Sequence, residues 1–206
     1  MSLRFDDSLE VTSISGLMKT EKIAVVGASG YSGEELVRIL VRHPYAELVA
    51  LTSRQLVGQR MDAVFPRFAG MRYADLKFVG SDVESIVGSG AKVAFLALPH
   101  GLAHEYAAPL LAAGLRVIDL SADFRIRDVA VYEEFYGEAH HAPALLGESV
   151  YGLVEHYREA VKGARLVASP GCYPTSILIP LLPLLQAGLL ETDSITVCSM
   201  SGVSGA

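Results

Sequence analysis

Tryptophan is missing from the 206 residues, cysteine occurs twice, and cations are the minority charge. Cys172 and Cys198 lie in unrelated local patterns, which excludes a disulfide-stapled scaffold, and no Cys/His spacing points to a metal site. Lys and Arg number 17 against 23 Asp and Glu, a net charge of -6, and no basic cluster interleaves with aromatics. The electrostatic footprint of a nucleic-acid binder is therefore missing, and a small-molecule partner is expected instead. Neither a signal sequence nor an uninterrupted apolar span is found, so a cytoplasmic protein without a membrane partner is expected. What is abundant is apolar material: 51% of residues are hydrophobic and 19 are glycine, enough for one good core and the beginning of a second unit.

Residues 1–17 show no clear period and precede Met18-Lys19-Thr20-Glu21-Lys22, which reads like a natural start, so they are expected to be a flexible extension. Apolar runs at Ile23 to Val26, Glu47 to Leu51, Leu76 to Val79, Lys92 to Leu98, Arg116 to Leu120 and Arg165 to Ala168 predict strands. Between them, helical spacing predicts helices over Glu34 to Arg42, Asp82 to Val87, Leu102 to Ala113, Val131 to Phe135 and Glu155 to Lys162, with His140 to Ser149 as loop. Strands apolar throughout and separated by helices predict an α/β fold: a doubly wound, parallel, Rossmann-like sheet over residues 18–171. Residues 172–206 are expected to start a second, α+β catalytic and oligomerisation domain. Its helix, Thr175 to Ala187, should be kinked or divided by Pro180 and Pro183, and Ser194 to Met200 should be a strand with Cys198 filling a core. The glycine-rich end, Ser201 to Ala206, leads to no terminating element and implies further polypeptide.

The first strand runs into Gly27-Ala28-Ser29-Gly30-Tyr31-Ser32-Gly33 and then a helix. Glycines spaced three and three differ from the commonest dinucleotide fingerprint, but the physical sense is the same: a tight turn, close backbone approach to a pyrophosphate, and a helix N-terminus aimed at it. A glycine turn that binds nothing would look alike. About 20 residues further, where an NAD-selective site places an acid, the chain has Ser53-Arg54. A hydroxyl and a guanidinium there favour NADP(H), through pairing with the 2′-phosphate, unless Arg54 is simply a solvated strand-end charge. Pro99 and His100 follow another strand and are expected to border the same cleft, whereas His140, His141 and His156 carry no motif and are expected at the surface.

Cys172 lies in Ser169-Pro170-Gly171-Cys172-Tyr173-Pro174-Thr175, a sharp turn before a helical run, with Pro174 suited to the first helical position. Unpaired N–H groups at such a place favour a thiolate, and a thiol beside a hydride carrier suggests thioester redox chemistry. Ser121 and Arg125, at the end of a strand, are candidates for holding an acyl phosphate or a substrate carboxylate. The competing arrangement is a structural Asp123–Arg125 ion pair with Ser121 capping the turn.

Six motifs in order resemble the N-acetyl-gamma-glutamyl-phosphate reductase family, related in fold and chemistry to aspartate-semialdehyde dehydrogenase. They are the glycine loop, Ala97-Leu98-Pro99-His100-Gly101, Asp119-Leu120-Ser121-Ala122-Asp123-Phe124-Arg125, Tyr151-Gly152-Leu153-Val154-Glu155, Pro170-Gly171-Cys172-Tyr173-Pro174-Thr175 and Ser201-Gly202-Val203-Ser204-Gly205-Ala206. Val154 and Ser169 stand where the family usually has Pro and Asn. The resemblance implies NADPH-dependent reduction of N-acetyl-L-glutamyl 5-phosphate to the 5-semialdehyde with release of phosphate, through a Cys172 thioester, in arginine biosynthesis. It further implies that Ser204 and Gly205 lie near nicotinamide and substrate, that the acid/base histidine belongs to a motif beyond Ala206, and that the protein is a homo-oligomer, a dimer or tetramer. The rival readings are a related acyl-phosphate reductase, acting on aspartyl phosphate or on carrier-linked aminoadipyl phosphate, and a non-catalytic NADP-binding module.

Overall fold

The computed structural model describes residues 20–202; the expected N-terminal extension and the candidates Ser204 and Gly205 lie outside them. Strand β1 (Glu21–Val26) passes through the glycine turn into helix α1 (Tyr31–Leu40), and β2 (Ala46–Thr52) follows. A one-turn helix α2 (Met61–Val64) and a 3-10 turn (Pro66–Phe68) precede the short β3 (Phe78–Val79). The chain then alternates through α3 (Val83–Gly88), β4 (Val93–Leu96), α4 (Ala103–Ala112) and β5 (Arg116–Asp119). Helices α5 (Val129–Tyr136) and α6 (Pro143–Leu146) interrupt this rhythm before β6 (Val150–Tyr151), α7 (Val154–Gly163), β7 (Leu166–Ala168) and α8 (Cys172–Gln186).

Among the described residues seven strands form one sheet, all parallel, in the order β3-β2-β1-β4-β5-β7-β6. The doubly wound sheet expected from the sequence is therefore present. The chain winds outward from β1 to β3, then returns to place β4 on the other side of β1, which opens a crevice at the carboxyl ends of β1 and β4. Alternation along β1 divides its residues between two cores: Ala24 and Val26 pack on one face with Ile86, Tyr106, Ala107, Leu110 and Leu111 of α3 and α4. On the other face Ile23 and Val25 pack with Val37 and Leu40 of α1 and with Met61, Phe68 and Phe78. Local chemistry ends the helices where the sequence predicts: Asp82 caps α3 by accepting from Ser85 N (2.7 Å), and Gly114 takes φ +84° after α4.

Several expectations need correction. The stretch read as loop, His140 to Ser149, contains α6, and β6 was unforeseen because a two-residue strand has no period to read. His140 is buried, not superficial: its Nε2 donates to Asp123 O (2.6 Å) and its Nδ1 accepts from Ala142 N (3.1 Å). Helix α8 is continuous through Pro180 and Pro183, and it starts at Cys172, so Pro174 is its third residue rather than its first. Each proline still withholds only one intrahelical bond, and in the first turn none is lost. Ser194 to Met200 forms no strand, and Cys198 is exposed, because no described strand lies beside this segment to complete a ladder. Among the described residues no helix is long and apolar enough to cross a membrane.

Candidate functional site

The glycine turn is shaped by close approach. Gly27 has φ +79°, and a Cβ on it would overlap the Ala97 carbonyl at the end of β4. A Cβ on Gly33 would lie 2.7 Å from Ala28 Cα, so this glycine lets α1 start tightly against the turn. Gly30 differs: a Cβ there would meet only Gly27 O, at 3.6 Å. Its open side, with the unpartnered first-turn N–H groups of Tyr31, Ser32 and Gly33, makes a cradle for an anion at the positive end of the helix dipole. Neighbouring β2 fastens the turn, since Gly27 N donates to Thr52 Oγ1 (3.2 Å) and Ala28 N to Thr52 O (3.1 Å).

Two cavities meet at Leu98 and Pro99. One, of about 320 Å³, is lined by Gly27, Ser29, Ser53, Arg54, Gln55 and Ser81 together with apolar Leu102 and Tyr106. Its hydroxyls are linked: Ser29 Oγ donates to Ser53 Oγ (3.0 Å), and Ser81 Oγ to Thr52 Oγ1 (3.2 Å). Ser53 is nearly buried while the Arg54 side chain is exposed at the rim. The other cavity, about 480 Å³, is lined by Gly30, Tyr31, Ser32, Pro99, His100 and Ser121. Thus the described cofactor candidates of the sequence line the two joined cavities at the switch point of the sheet, except Gly33, which packs against Ala28. Gln55 and Ser81 line the same cavity and carry no local motif that singles them out, while Thr52 lies buried beneath, bonded to Ser81 and to the glycine turn.

The loop after β5 is the hub of the polar structure. Asp119 is fully buried and accepts from Ser121 N (3.0 Å) and Ser121 Oγ (2.8 Å). Burial outweighs those hydrogen bonds and pushes its carboxyl from the usual 3.8 up to about 6. Ser121 Oγ accepts in turn from Asp123 N (3.2 Å), and Asp123 accepts from Gly101 N (2.8 Å) and Ala103 N (3.0 Å) at the start of α4. His100 joins the same loop, its Nδ1 accepting from Ala122 N (2.9 Å), which leaves the neutral ring its proton on Nε2. Ser121 therefore caps the turn while also lining the cavity. Arg125 pairs with neither Asp123 nor any other described carboxylate; its Nε donates to Ser169 O and its Nη2 to Leu120 O, both at 2.8 Å.

Gly171 is the extended residue before α8, and Thr175 N closes the first turn on Gly171 O (3.0 Å). The N–H groups of Cys172 and Tyr173 are left without intrahelical partners, and Pro174 has none to offer. Cys172 is exposed and lines a third cavity, about 520 Å³, with Tyr173, Ser176, Cys198 and the segment from Ser199 to Gly202. The structure does not bring Cys172 into the crevice itself; it stands beyond the ends of β5 and β7, reached from the crevice wall through Leu120 and Arg125.

Comparison with known proteins decides the family. A sequence model described as "Semialdehyde dehydrogenase, NAD binding domain" matches residues 22–164. The chain belongs to the semialdehyde dehydrogenase family. A second model, "Semialdehyde dehydrogenase, dimerisation domain", matches residues 172–206. The chain is similar to N-acetyl-gamma-glutamyl-phosphate reductases of Akkermansia muciniphila, 59% identical over 92% of this chain and 54% of the relative, and of Ectopseudomonas mendocina, 50% identical over 90% and 53%. It spans about half the length of these curated relatives. In fold it is similar to the aspartate semialdehyde dehydrogenase of Candida albicans solved with NADP, with TM-score 0.58 and 17% identity over 84% of this chain and 48% of that one. The description of the matched model supports a nicotinamide cofactor, and the open face of Gly30 has room for a pyrophosphate.

Proposed function

We propose that residues 18–171 bind NADP(H), and that with the domain begun by residues 172–206 they reduce N-acetyl-L-glutamyl 5-phosphate to the 5-semialdehyde with release of phosphate, in arginine biosynthesis. The observation that carries this reading is Cys172 as the exposed first residue of α8, beside two unpartnered N–H groups and joined to the crevice wall through Arg125 and Leu120. Nucleophilic attack requires the thiolate form of Cys172. Its sulfur attacks the acyl carbon, a C–S bond forms, the C–O bond to phosphate breaks, and phosphate leaves with the bonding pair. The N–H groups of Cys172 and Tyr173 are the donors available to the oxyanion of that addition.

When bound, a reduced nicotinamide supplies hydride to the thioester carbon. Cys172 then departs as thiolate, and the aldehyde is released. Gly30, Tyr31, Ser32 and Gly33 hold the pyrophosphate, and Ser29, Ser53 and Arg54 the 2′-phosphate; the linked hydroxyls and the guanidinium around one cavity support NADP over NAD. Pro99 and His100 wall the crevice, and Ser121 is the substrate contact in this reading. The match of residues 172–206 to a dimerisation domain supports a homo-oligomer. Phosphate-dependent reduction of NADP by N-acetylglutamate 5-semialdehyde tests the proposal, with aspartate semialdehyde as competitor. Preference for the aspartyl substrate, or equal turnover by Cys172→Ser, refutes it.

A further inference from the structure

We propose that Arg125 is a positioning residue that holds the cysteine turn, by standing in for the next rung of the ladder between β5 and β7. This rests on Cys172 as the nucleophile for its catalytic meaning, but not for its structural content. Strands β5 and β7 pair through Asp119 and Ala168, and Ser169 N still reaches Asp119 O (2.8 Å). Beyond that point the chains diverge, one into the Ser121 turn and the other toward Pro170, so the carbonyls of Leu120 and Ser169 have no strand partner. The guanidinium of Arg125 bridges them, Nη2 to Leu120 O and Nε to Ser169 O, each at 2.8 Å. A planar fork spans two carbonyls on two strands; an ammonium is a point donor without that fixed geometry.

The cysteine turn lies directly over this fork. A Cβ on Gly171 would sit 3.2 Å from Arg125 Nη1 and 3.3 Å from Pro174 Cδ, closer than ordinary contact on both sides. Gly171 is thus held between the guanidinium and the first turn of α8, and its neighbour is Cys172. Two of the three guanidinium nitrogens serve backbone carbonyls, which is the arrangement of a clamp. Arg125 also stands between the crevice wall, through Leu120, and the thiol. It thereby sets the direction in which Cys172 leaves the sheet.

Hydrogen exchange at the Ser169 and Thr175 amides, which flank the turn and are bonded to Asp119 O and Gly171 O, and iodoacetamide alkylation of Cys172 relative to Cys198, test this in the chain as it stands. Arg125→Lys keeps the charge and loses the fork, so exchange at both amides should rise about tenfold and the alkylation ratio should change, with exchange in β1 and β4 unaltered. Arg125→Ala should behave likewise and be restored by added guanidinium ion. Should Arg125→Ala fail to fold, Gly171→Ala retains the arginine and pushes the turn off it, with the same local loosening expected. Unchanged exchange at these amides in Arg125→Lys and Gly171→Ala overturns the clamp. Where turnover is measurable, Arg125→Lys should lower kcat about 10²-fold with KM within about threefold; a raised KM at constant kcat assigns the residue to substrate and also overturns it. Full turnover by Cys172→Ser would defeat the nucleophile and leave the exchange result intact, so the two failures are separable.

Discussion

Residues 21–168 and residues 172–202 are both rich in apolar side chains, and they fare differently. In the first region β1 alone contributes Ala24, Val25 and Val26 to the core, each at 0% exposure. In the second, α8 carries Ile177-Leu178-Ile179-Pro180-Leu181-Leu182-Pro183-Leu184-Leu185 and buries no residue, while Leu189 and Met200 are 69% and 94% exposed. Apolar composition is thus a capacity for burial that is realised only against another surface. The sheet provides two such surfaces, one to each face; among the described residues α8 meets only the start of α7, where Leu178, Leu182 and Pro183 face Leu153 and His156. In the proposed function the same division separates the cofactor crevice of the first region from the acyl chemistry that starts at Cys172.

The largest expected effect tests that division of labour. Cys172→Ser should reduce turnover at least about 10³-fold while leaving NADPH affinity and the thermal midpoint unchanged, as read by kinetics, fluorescence titration and calorimetry. Next comes the core itself. Leu110→Ala, between α4 and the sheet, should cost about 2–5 kcal/mol in urea denaturation, whereas Leu184→Ala in α8 should stay within about 1 kcal/mol. Equal losses would mean that α8 is packed as the sheet is.

Asp119 makes a prediction confined to the first region. Its carboxyl titrates near 6 when folded and near 3.8 otherwise, so the folded protein holds the proton more tightly. This contribution to stability is complete below about pH 4 and is lost as pH rises through about 6, a change of at most about 3 kcal/mol. Asp119→Asn should flatten stability between these limits, seen as thermal midpoints against pH. The smallest effect belongs to the crevice rim: Arg54→Ala should weaken NADPH about 10- to 100-fold and leave NADH almost unaffected, measured by titration.

Legibility followed the range of the interactions. The glycine turn was readable because Gly27, Gly30 and Gly33 act within seven residues, and the helix caps at Asp82 and Gly114 are equally local. His140 was misread because its burial depends on Asp123 O, 17 residues away, and no spacing announces such a partner. Ser194 to Met200 has the alternation of a strand, but a strand exists only with a neighbour. Arg125 was read as a candidate for a substrate anion or as an ion-pair partner of Asp123; its bonds go to the carbonyls of Leu120 and of Ser169, 44 residues on, which no local pattern announces.

By itself the sequence determined the parallel α/β class, the glycine turn between β1 and α1, the hydroxyl and guanidinium in place of an acid, and the thiol at a helix start. Each of these is written in residues near one another along the chain, where periodicity, φ preference and dipole direction act directly. Only the tertiary structure decided that Asp119, Ser121 and Asp123 tie the ends of β4 and β5 together and that Arg125 bridges β5 to the cysteine turn. Those outcomes depend on which strands become neighbours, and the sheet order that sets them is a property of the whole packed chain.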